Sequence, residues 1–430
     1  VTRVSEATTS TSRLNSPAPR VDSIDVLRGL VMFTMIFVND LAGAPHKLVP
    51  DWMVHYSDRH KGSGMTFVDL VFPAFLFIVG MSIPFALGSR LKRGEPIWKT
   101  LLHVLTRSLA LIVLGIMMVN ESPNSEAMGW SATLWVVLMY SCAILAFCSV
   151  SPRRKSGTAV ATPTRWLTLS RINLILRLVG FAGLIALAFA FRGRNDHRII
   201  RLSPSFSINH DWYGILGLIG WAYLVASIVF LVFRTSQTGL LMCMVLLMCL
   251  FPADRKGLFE GFNLVSVGET LGSQASITVG GVLLASILLV PWSVWERLRF
   301  TLLFILGCAI AAVLLKPLYG ISKNNATPAW CLWSCAVTAG LWLLFYFLAD
   351  VWRPTRALIM PFAVAGKNVL LAYLISEGMG AFLDLVHLGD WYGSLTQGSL
   401  AHAVERSLGA AFVVLLISVV LNRLGFRLKL

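Results

Sequence analysis

Apolar stretches of about 20 residues dominate this chain of 430 residues, and no other feature restricts its fold as strongly. A helix of that length crosses the hydrocarbon core of a bilayer. Hydrophobic residues make up 56% of the chain and charged residues only 13%, about half the charged share of a soluble protein. A soluble fold could not bury so much apolar surface, and a disordered chain needs the opposite balance. The sequence therefore predicts an all-α polytopic membrane protein.

The apolar runs predict about 12 (11–12) transmembrane helices, with boundaries good to a few residues. The run at 238–251 is the weakest because it is short, and a re-entrant segment there is the alternative. The candidate spans are 23–41, 66–87, 100–120, 130–150, 172–191, 211–233, 238–251, 273–290, 300–315, 328–350, 357–383 and 407–422.

Basic residues are unevenly divided between the two sides of this predicted topology. Of the 36 Lys and Arg residues, 20 lie on the side that holds both termini and 12 on the other, which predicts cytoplasmic N- and C-termini. We expect 1–22 to be a flexible cytoplasmic tail, 23–424 one transmembrane domain and 425–430 a cytoplasmic tail. The net charge of +15 is explained by this bias, and no base-reading motif accompanies it, so no nucleic-acid partner is expected.

Motifs for several common chemistries are missing from the sequence. The seven cysteines lie inside apolar runs without metal-ligand spacing, so no metal site is expected. The chain has no phosphate-binding loop, no GxSxG elbow, no HExxH and no dinucleotide fingerprint. A function must therefore be sought among polar residues in or beside the spans.

Ionisable residues in predicted spans are costly and often mark functional sites. Asp25 and Arg28 have i, i+3 spacing, which suits either a structural ion pair or an Arg28 that meets an anionic group from the cytoplasm. Asn39 and Asp40 end the same helix, as caps or as part of a site. Asp69 stands near the start of the second predicted span.

A second polar group lies in the run 357–383. Lys367, Asn368 and Glu377 need one another, water or a ligand at membrane depth, although such groups also simply tie helices together. The loop between the first two spans contains His55 and His60 on the predicted extracytoplasmic side.

Four segments near the N-terminus carry a resemblance to a known family. They read S-I-D-V-L-R-G-L at 23–30, F-V-N-D at 37–40, W-M-V-H at 52–55 and G-M-T-F-V-D-L-V-F-P at 64–73. Together they resemble the heparan-α-glucosaminide N-acetyltransferase family, and within it the bacterial transmembrane glucosamine N-acetyltransferases. Weaker similarity recurs at 212–224, 322–330 and 366–373.

The resemblance implies that 23–424 is a single transmembrane acyltransferase domain, with the core catalytic motifs in 23–87. It implies transfer of an acetyl group from cytosolic acetyl-CoA to the amine of glucosamine or a glucosamine-containing glycan across a bacterial inner membrane. The W-x-x-H context carries the family's catalytic histidine onto His55, and the family's asparagine onto Asn39. The stretch 57–63 is longer than the family pattern, so His60 stays a competitor for the base.

These residue types suit amine acetylation. His55 would remove the proton from the amine, and Asn39 would donate a hydrogen bond to the thioester carbonyl. Asp69 or Asp40 would orient the imidazole, and direct attack and an acetyl-His intermediate both stay open. Substrate or cofactor contacts are expected from Arg28, Asp25, Lys367, Asn368 and Glu377.

The expected partners are acetyl-CoA as co-substrate, an amino-sugar acceptor and the lipid bilayer, with homo-oligomerisation left open. The alternative function is an amino-sugar permease of the inner membrane, which intramembrane charges and twelve spans also suit.

Overall fold

A computed structural model describes residues 21–45, 47–119, 122–151, 163–194, 197–202, 207–209, 212–352, 356–396 and 398–428, and for 163–168 and 356–358 it describes the backbone only. Most of the predicted tail at 1–22 therefore lies outside the described residues. The helices are α1 Asp22–Ala42, α2 Tyr56–Arg59, α3 Val71–Lys92, α4 Ile97–Val119, α5 Ser125–Met128, α6 Ala132–Phe147, α7 Pro163–Ala190, α8 Gly214–Phe233, α9 Gln237–Arg255, α10 Ala275–Ser286, α11 Val294–Tyr319, α12 Pro328–Phe345, α13 Arg356–Ala365, α14 Val369–Leu385, α15 Gly389–Ser394 and α16 Leu400–Arg423.

Short strands and tighter helical turns complete the structure. Strand β1 (Cys148–Val150) pairs antiparallel with β4 (Phe426–Leu428), and β2 (Ile200–Arg201) pairs antiparallel with β3 (Ser207–Ile208). The predicted C-terminal tail at 425–430 thus contains β4, which pairs with β1 directly after α6. The 3-10 turns are Asp51–Met53 and Val68–Leu70, and the π-helical segments are Val267–Gln274 and Tyr346–Val351.

Within the described residues, eight helices are long and apolar enough to cross a membrane, or nine with the bent pair α13–α14. All twelve predicted runs contain a helix, but α1, α6 and α10 do not meet the length and composition of a span by themselves. The weakest predicted run, 238–251, lies within the 19-residue apolar helix α9. The prediction of an all-α, multi-pass membrane protein is confirmed, while the number of twelve spans stays a prediction.

The centre of the bundle is formed by α1, α3 and α10. Leu27 and Leu41 of α1 and Leu76 of α3 are fully buried, as are most side chains of α10. Two glycines bring α3 and α10 together, because a Cβ at Gly80 or Gly281 would overlap a backbone carbonyl of the other helix. Small residues of this kind allow membrane helices to pack at close range.

The predicted run 357–383 is interrupted. Its two halves, α13 and α14, meet at 81° around the break at 366–368. The residue at position 366 must be glycine, because a Cβ there would collide with the carbonyl oxygen of Asp25 in α1. The break lies against the N-terminal half of α1, and Lys367 lines the same cavity as Arg28.

Candidate active site

His55 and Asp69 form a hydrogen-bonded pair where α3 begins. The His55 Nδ1 to Asp69 Oδ1 distance is 2.8 Å, and the Asp69 side chain is 2% exposed against 30% for His55. The carboxylate holds the ring proton on Nδ1, which leaves the lone pair of Nε2 free to accept a proton. An imidazole oriented by a buried carboxylate is the arrangement found around histidine bases.

The local backbone explains why a buried carboxylate is stable here. Asp69 Oδ2 accepts hydrogen bonds from the backbone N–H groups of Thr66 at 2.9 Å and Tyr56 at 3.1 Å. The indole of Trp330, from α12, donates to the backbone carbonyl of Asp69 at 3.2 Å. Hydrogen bonds to a carboxylate offset much of the cost of its removal from water, so Asp69 is a rigid support for the ring.

Lys323 brings a cationic side chain to the same imidazole from a distant part of the chain. Its Nζ lies 3.1 Å from His55 Nε2 and 3.2 Å from His55 Nδ1. The loop between α11 and α12 that carries Lys323 is tied to the histidine loop, since Gly64 N donates to Ile321 O and Ile321 N to Ser63 Oγ. Two loops that are far apart in sequence therefore form one site.

The environment of Lys323 makes its ammonium easier to deprotonate than that of an exposed lysine. Burial lowers the pKa of the Lys323 ammonium below its usual value, and the nearby carboxylates of Asp69 and Asp58 oppose this by raising it. An amine that loses its proton more easily than an ordinary lysine is therefore in contact with the imidazole.

His60, the competing histidine, lines a small cavity together with Asp69 but makes no described hydrogen bond to it. Its Nε2 is 3.7 Å from Asp51 Oδ2, its ring lies 4.8 Å from that of Tyr56, and its side chain is 41% exposed. None of the hydrogen bonds of Asp69 described above comes from His60. Of the two histidines, His55 has the geometry of an oriented base.

Asn39 makes a different contact from the one needed for thioester binding. Its Nδ2 donates to Glu377 Oε1 of α14 at 2.9 Å, and this contact is exposed. The structure thus brings together two residues that the sequence analysis had placed in separate groups. The amide donor of Asn39 faces a carboxylate, so Asn39 would have to exchange this partner to reach a substrate.

Asp40 is held in a separate cluster and does not contact the imidazole. Its Oδ2 accepts from Arg406 Nε at 3.0 Å and from Ser407 Oγ at 2.7 Å, and its Oδ1 accepts from Tyr392 at 2.7 Å. Of the two carboxylates predicted to orient the imidazole, Asp69 is therefore the one in contact with it. The cluster joins α1 to α15 and α16.

Removal of Arg406 from this cluster is expected to destabilise the protein strongly. In the ion pair the side chains of Arg406 and Asp40 are only 5% and 10% exposed. Arg406→Met leaves a buried carboxylate without its cation, which typically costs about 3 kcal/mol. Thermal unfolding in detergent measures the loss, and Arg423→Met, at an exposed position of the same helix, is the matched control. Equal melting temperatures for the two variants would contradict the role given to the pair.

A polar cavity of about 440 Å³ lies beside Arg28 of α1 and the middle of α3, and we call it the Arg28 cavity. As the i, i+3 spacing predicts, Arg28 pairs with Asp25 at 2.9 Å, and it also donates to Ser82 Oγ at 2.6 Å and to the Gly366 carbonyl. Arg107 and the exposed Lys367 line this cavity too. Three cationic side chains therefore converge on one concave site.

Asn368 also lines the Arg28 cavity, but its side chain is already engaged. Its Nδ2 donates to the backbone carbonyl of Phe426, and its Oδ1 accepts from the backbone N–H of Leu428. These two hydrogen bonds attach the Asn368 side chain to β4. Arg107, in contrast, has a buried Nε without a hydrogen-bond partner among the described residues, and its guanidinium lies 4.8 Å from the centre of the Tyr223 ring.

Four cavities, each of which shares at least one lining residue with the next, lie between Arg28 and Asp69. The Arg28 cavity shares Arg107 and Tyr223 with a cavity of about 100 Å³ beside Met35, the Met35 cavity. That one shares Ile215 with a cavity of about 770 Å³ beside Glu269, the Glu269 cavity. The Glu269 cavity shares Lys323 with a cavity of about 190 Å³ beside Tyr56, the Tyr56 cavity, which Asp69 also lines.

Sequence reasoning did not select Lys323, and only one weak signal pointed to it. The residue stands in the short segment 322–330, which carried part of the family resemblance. A lysine in a loop between two spans is otherwise indistinguishable from ordinary loop charge. Its contact with His55 depends on the packing of α12 against α3, which the sequence does not reveal.

The fold and the site together define a multi-pass helical membrane protein with an oriented histidine at one end of a row of cavities and a basic cavity at the other. Comparison with known proteins agrees with this class. Residues 20–257, more than half of the chain, match the family described as Domain of unknown function (DUF5009), and the chain belongs to that family.

Two curated relatives extend the comparison. The chain is 36% identical over 121 residues to the Homo sapiens protein named heparan-alpha-glucosaminide N-acetyltransferase, which is 28% of this chain and 17% of that protein. It is 36% identical over 115 residues to the Mus musculus protein of the same name, which is 27% of this chain and 16% of that protein. The matches span less than one fifth of the relatives' own length. The resemblance to heparan-α-glucosaminide N-acetyltransferases that was found in the sequence is confirmed.

Proposed function

We propose that this protein is a transmembrane N-acetyltransferase that moves an acetyl group from acetyl-CoA to the amine of glucosamine or of a glucosamine-containing glycan. The observation that carries the proposal is the His55–Asp69 pair at the end of a row of cavities that begins at three cationic side chains. The names of the two relatives support the same reaction.

The Arg28 cavity is the proposed entrance for acetyl-CoA, on the cytoplasmic side predicted from the basic residues. Arg28, Arg107 and Lys367 offer charge to the phosphates of the nucleotide, and guanidinium groups match phosphate geometry well. Asp69 in the turn before α3 and Ser82 in the middle of α3 are roughly 20 Å apart at about 1.5 Å per residue. The extended pantetheine arm of coenzyme A can span that distance, through the Met35 cavity, to the histidine.

Lys367→Met is expected to raise KM for acetyl-CoA about tenfold with a smaller effect on kcat, because a charge-assisted contact to phosphate is lost. Lys367 is exposed and lines the cavity, so its removal leaves no buried charge behind. Lys92→Met is the control, since Lys92 is an exposed lysine that does not line the cavity. Steady-state kinetics with varied acetyl-CoA measures both. Unchanged KM in Lys367→Met would remove Lys367 from the cofactor site.

The chemical step needs an unprotonated amine beside the thioester carbonyl. In the proposed direct route, His55 Nε2 takes a proton from the attacking nitrogen, the nitrogen–carbon bond forms and the carbon–sulfur bond breaks. The products are an N-acetyl sugar and the thiol of coenzyme A, which takes up the proton. Asp69 keeps the ring in position, and Asn39 stays a candidate donor to the carbonyl oxygen as charge develops there.

The proposed function is tested with purified protein in detergent, acetyl-CoA and glucosamine, by measurement of free thiol and of N-acetylated sugar. Thiol release that requires the sugar supports the enzyme. Absence of release with a panel of amino sugars overturns it. The permease alternative, which a row of cavities also suits, is then decided by uptake of labelled glucosamine into vesicles without acetyl-CoA.

A further inference from the structure

An apolar groove of about 550 Å³ lies between α9 and α11, and we call it the α9–α11 groove. Helix α9 packs against α10 and α11 packs against α12, so the groove separates two helix pairs. In the described part of the chain it shares no lining residue with the four cavities between Arg28 and Asp69. On α11 it is lined by a row of residues spaced four apart, Leu303, Gly307, Ala311, Leu315 and Tyr319.

The lining of the groove suits a hydrocarbon ligand. Among its described side chains, the polar groups are one hydroxyl and two thiols, those of Tyr319, Cys249 and Cys308. On α11 Leu303 is 69% exposed, and on α9 Val245 is 53% exposed. In a helix that crosses a membrane, apolar side chains with such exposure face the hydrocarbon core. The groove therefore opens to the acyl chains of the bilayer.

The dimensions of the groove fit one hydrocarbon chain. From Leu303 to Tyr319 its wall on α11 is roughly 24 Å long at about 1.5 Å per residue. Volume and length give a cross-section of roughly 23 Å², about 5 Å across, which admits one chain of carbon atoms at about 4 Å contact distance. A helix with its side chains is about 10–12 Å wide, so a helix of a second copy is too thick to enter.

Beyond the groove, the same row on α11 continues with residues that suit a lipid headgroup. Arg299 stands four residues before Leu303, and Trp295 four residues before Arg299. Both are exposed, Trp295 by 71%. Residues four apart lie on one face of a helix, so both stand in line with this end of the groove. Tryptophan is enriched at the membrane interface, and a guanidinium matches the geometry of phosphate.

The charges at this end favour an anionic headgroup. Arg297 and Arg299 stand beside one carboxylate in the first turns of α11, that of Glu296. Glu296 Oε2 already accepts from the backbone N–H of Ser293 at 2.6 Å, and Arg297 Nη1 donates to the hydroxyl of Tyr346 at 3.0 Å. Arg299 is the exposed cation left for a ligand. This end lies on the side that the basic residues predict to be cytoplasmic, where anionic lipids are concentrated.

We infer that the α9–α11 groove binds one acyl chain of an anionic phospholipid from the surrounding bilayer, with the headgroup phosphate beside Arg299 and Trp295. The bound chain fills the gap between the two helix pairs and stabilises the folded protein. This lipid site does not depend on the proposed acetyl transfer.

Gly307 allows the groove to be closed without displacement of a helix. A Cβ at position 307 would meet no atom within 4 Å, so Gly307→Leu places its side chain in the path of the acyl chain. Gly409→Leu is the matched control. A Cβ at position 409 also meets no atom within 4 Å, and this glycine lies in the long apolar helix α16, away from the groove.

Native mass spectrometry of the purified, delipidated chain, titrated with phosphatidylglycerol, measures binding. We expect one tightly bound lipid, about tenfold weaker binding to Gly307→Leu because buried methylene contacts are lost, and no change in Gly409→Leu. Arg299→Met should weaken binding about fivefold, the effect of one cation beside an anionic lipid. Lys316→Met, at an exposed position near the other end of α11, should bind as the wild type does. Phosphatidylcholine should bind more weakly than phosphatidylglycerol to the wild type.

Thermal unfolding gives a second readout. Phosphatidylglycerol should raise the melting temperature of the wild type by a few degrees, because a ligand of the folded state stabilises it. This rise should be lost in Gly307→Leu, whose lipid-free melting temperature should not fall below that of the wild type. Arg299→Met changes an exposed side chain and tests the site independently of Gly307→Leu.

Three results would overturn the inference. If Gly307→Leu binds the lipid as tightly as Gly409→Leu, the groove is not the site. If Lys316→Met loses binding and Arg299→Met does not, the headgroup is not beside Arg299. A dimer of the wild type that binds no lipid and dissociates in Gly307→Leu would assign the groove to a second copy of the chain.

Discussion

Replacement of His55 by alanine is expected to lower kcat for acetyl transfer about 10³-fold, because a positioned general base typically contributes 10²–10⁴-fold. The variant loses the group whose Nε2 receives the proton from the amine, while Asp69 keeps its bonds from the backbone N–H groups of Thr66 and Tyr56. The side chain of His55 is 30% exposed, so truncation leaves no sealed cavity. Thiol release and product formation measure the effect.

His60→Ala is the matched control for this experiment. It removes an imidazole directly after the end of α2 that has no described bond to Asp69. We expect its kcat to stay within about threefold of the wild type, since loss of an exposed side chain is usually a small perturbation. Near-normal turnover in His55→Ala, or loss of turnover in His60→Ala alone, would transfer the base to His60.

The variant Asp69→Asn tests separately whether Asp69 orients the imidazole of His55. The amide has nearly the same shape, yet it can present its N–H to His55 Nδ1 and so reverse which ring nitrogen carries the proton. A loss of kcat with little change in KM for acetyl-CoA is expected from a residue that acts through the imidazole. A rise of KM alone would mean that Asp69 serves binding.

The contacts foreseen from the sequence are those that depend on short spacing or on one continuous motif. Asp25 and Arg28 pair because a helix places i and i+3 on one face. His55 and Asp69 lie in one motif-rich stretch, and a single loop suffices to join them.

What the sequence could not supply depends on packing between distant segments. Lys323 meets His55 only because two loops that are far apart in sequence bind to each other. In the sequence Asp40 and Asp69 were equal candidates to orient the imidazole. In the structure Arg406 of α16 forms an ion pair with Asp40, which therefore holds helices together. Hydropathy also gives no sign of the bend at 366–368, since both halves of the run are apolar and only the contact with α1 requires the glycine.

Replacement of Lys323 is expected to have the second large effect on kcat for acetyl transfer. Lys323 Nζ lies beside the imidazole, 3.1 Å from Nε2 and 3.2 Å from Nδ1, and so close to the proposed reaction centre. From there its ammonium is placed to stabilise the negative charge that develops on the thioester oxygen. Lys323→Met is therefore expected to lower kcat about 10²-fold, the loss typical of one missing donor to an oxyanion. Lys323→Arg, which keeps a charge, should recover part of the rate.

The pH profile separates this role from a merely structural one. Burial disfavours the ammonium and lowers the pKa of Lys323, while Asp69 and Asp58 raise it, with a net decrease. If the ammonium is the active form, kcat is retained below that pKa and falls as pH rises through it, below the range near 10.4 where an ordinary lysine titrates. Lys323→Arg should move this fall to higher pH, because a guanidinium keeps its proton there.

In Lys323→Met the fall at high pH should disappear, because no titrating amine is left at the site. A profile of Lys323→Met that keeps the wild-type fall would assign that titration to another group and leave Lys323 as a support for the loop. Three pH–rate curves on folded protein, with melting temperatures alongside, therefore decide whether the cation beside the imidazole takes part in acetyl transfer.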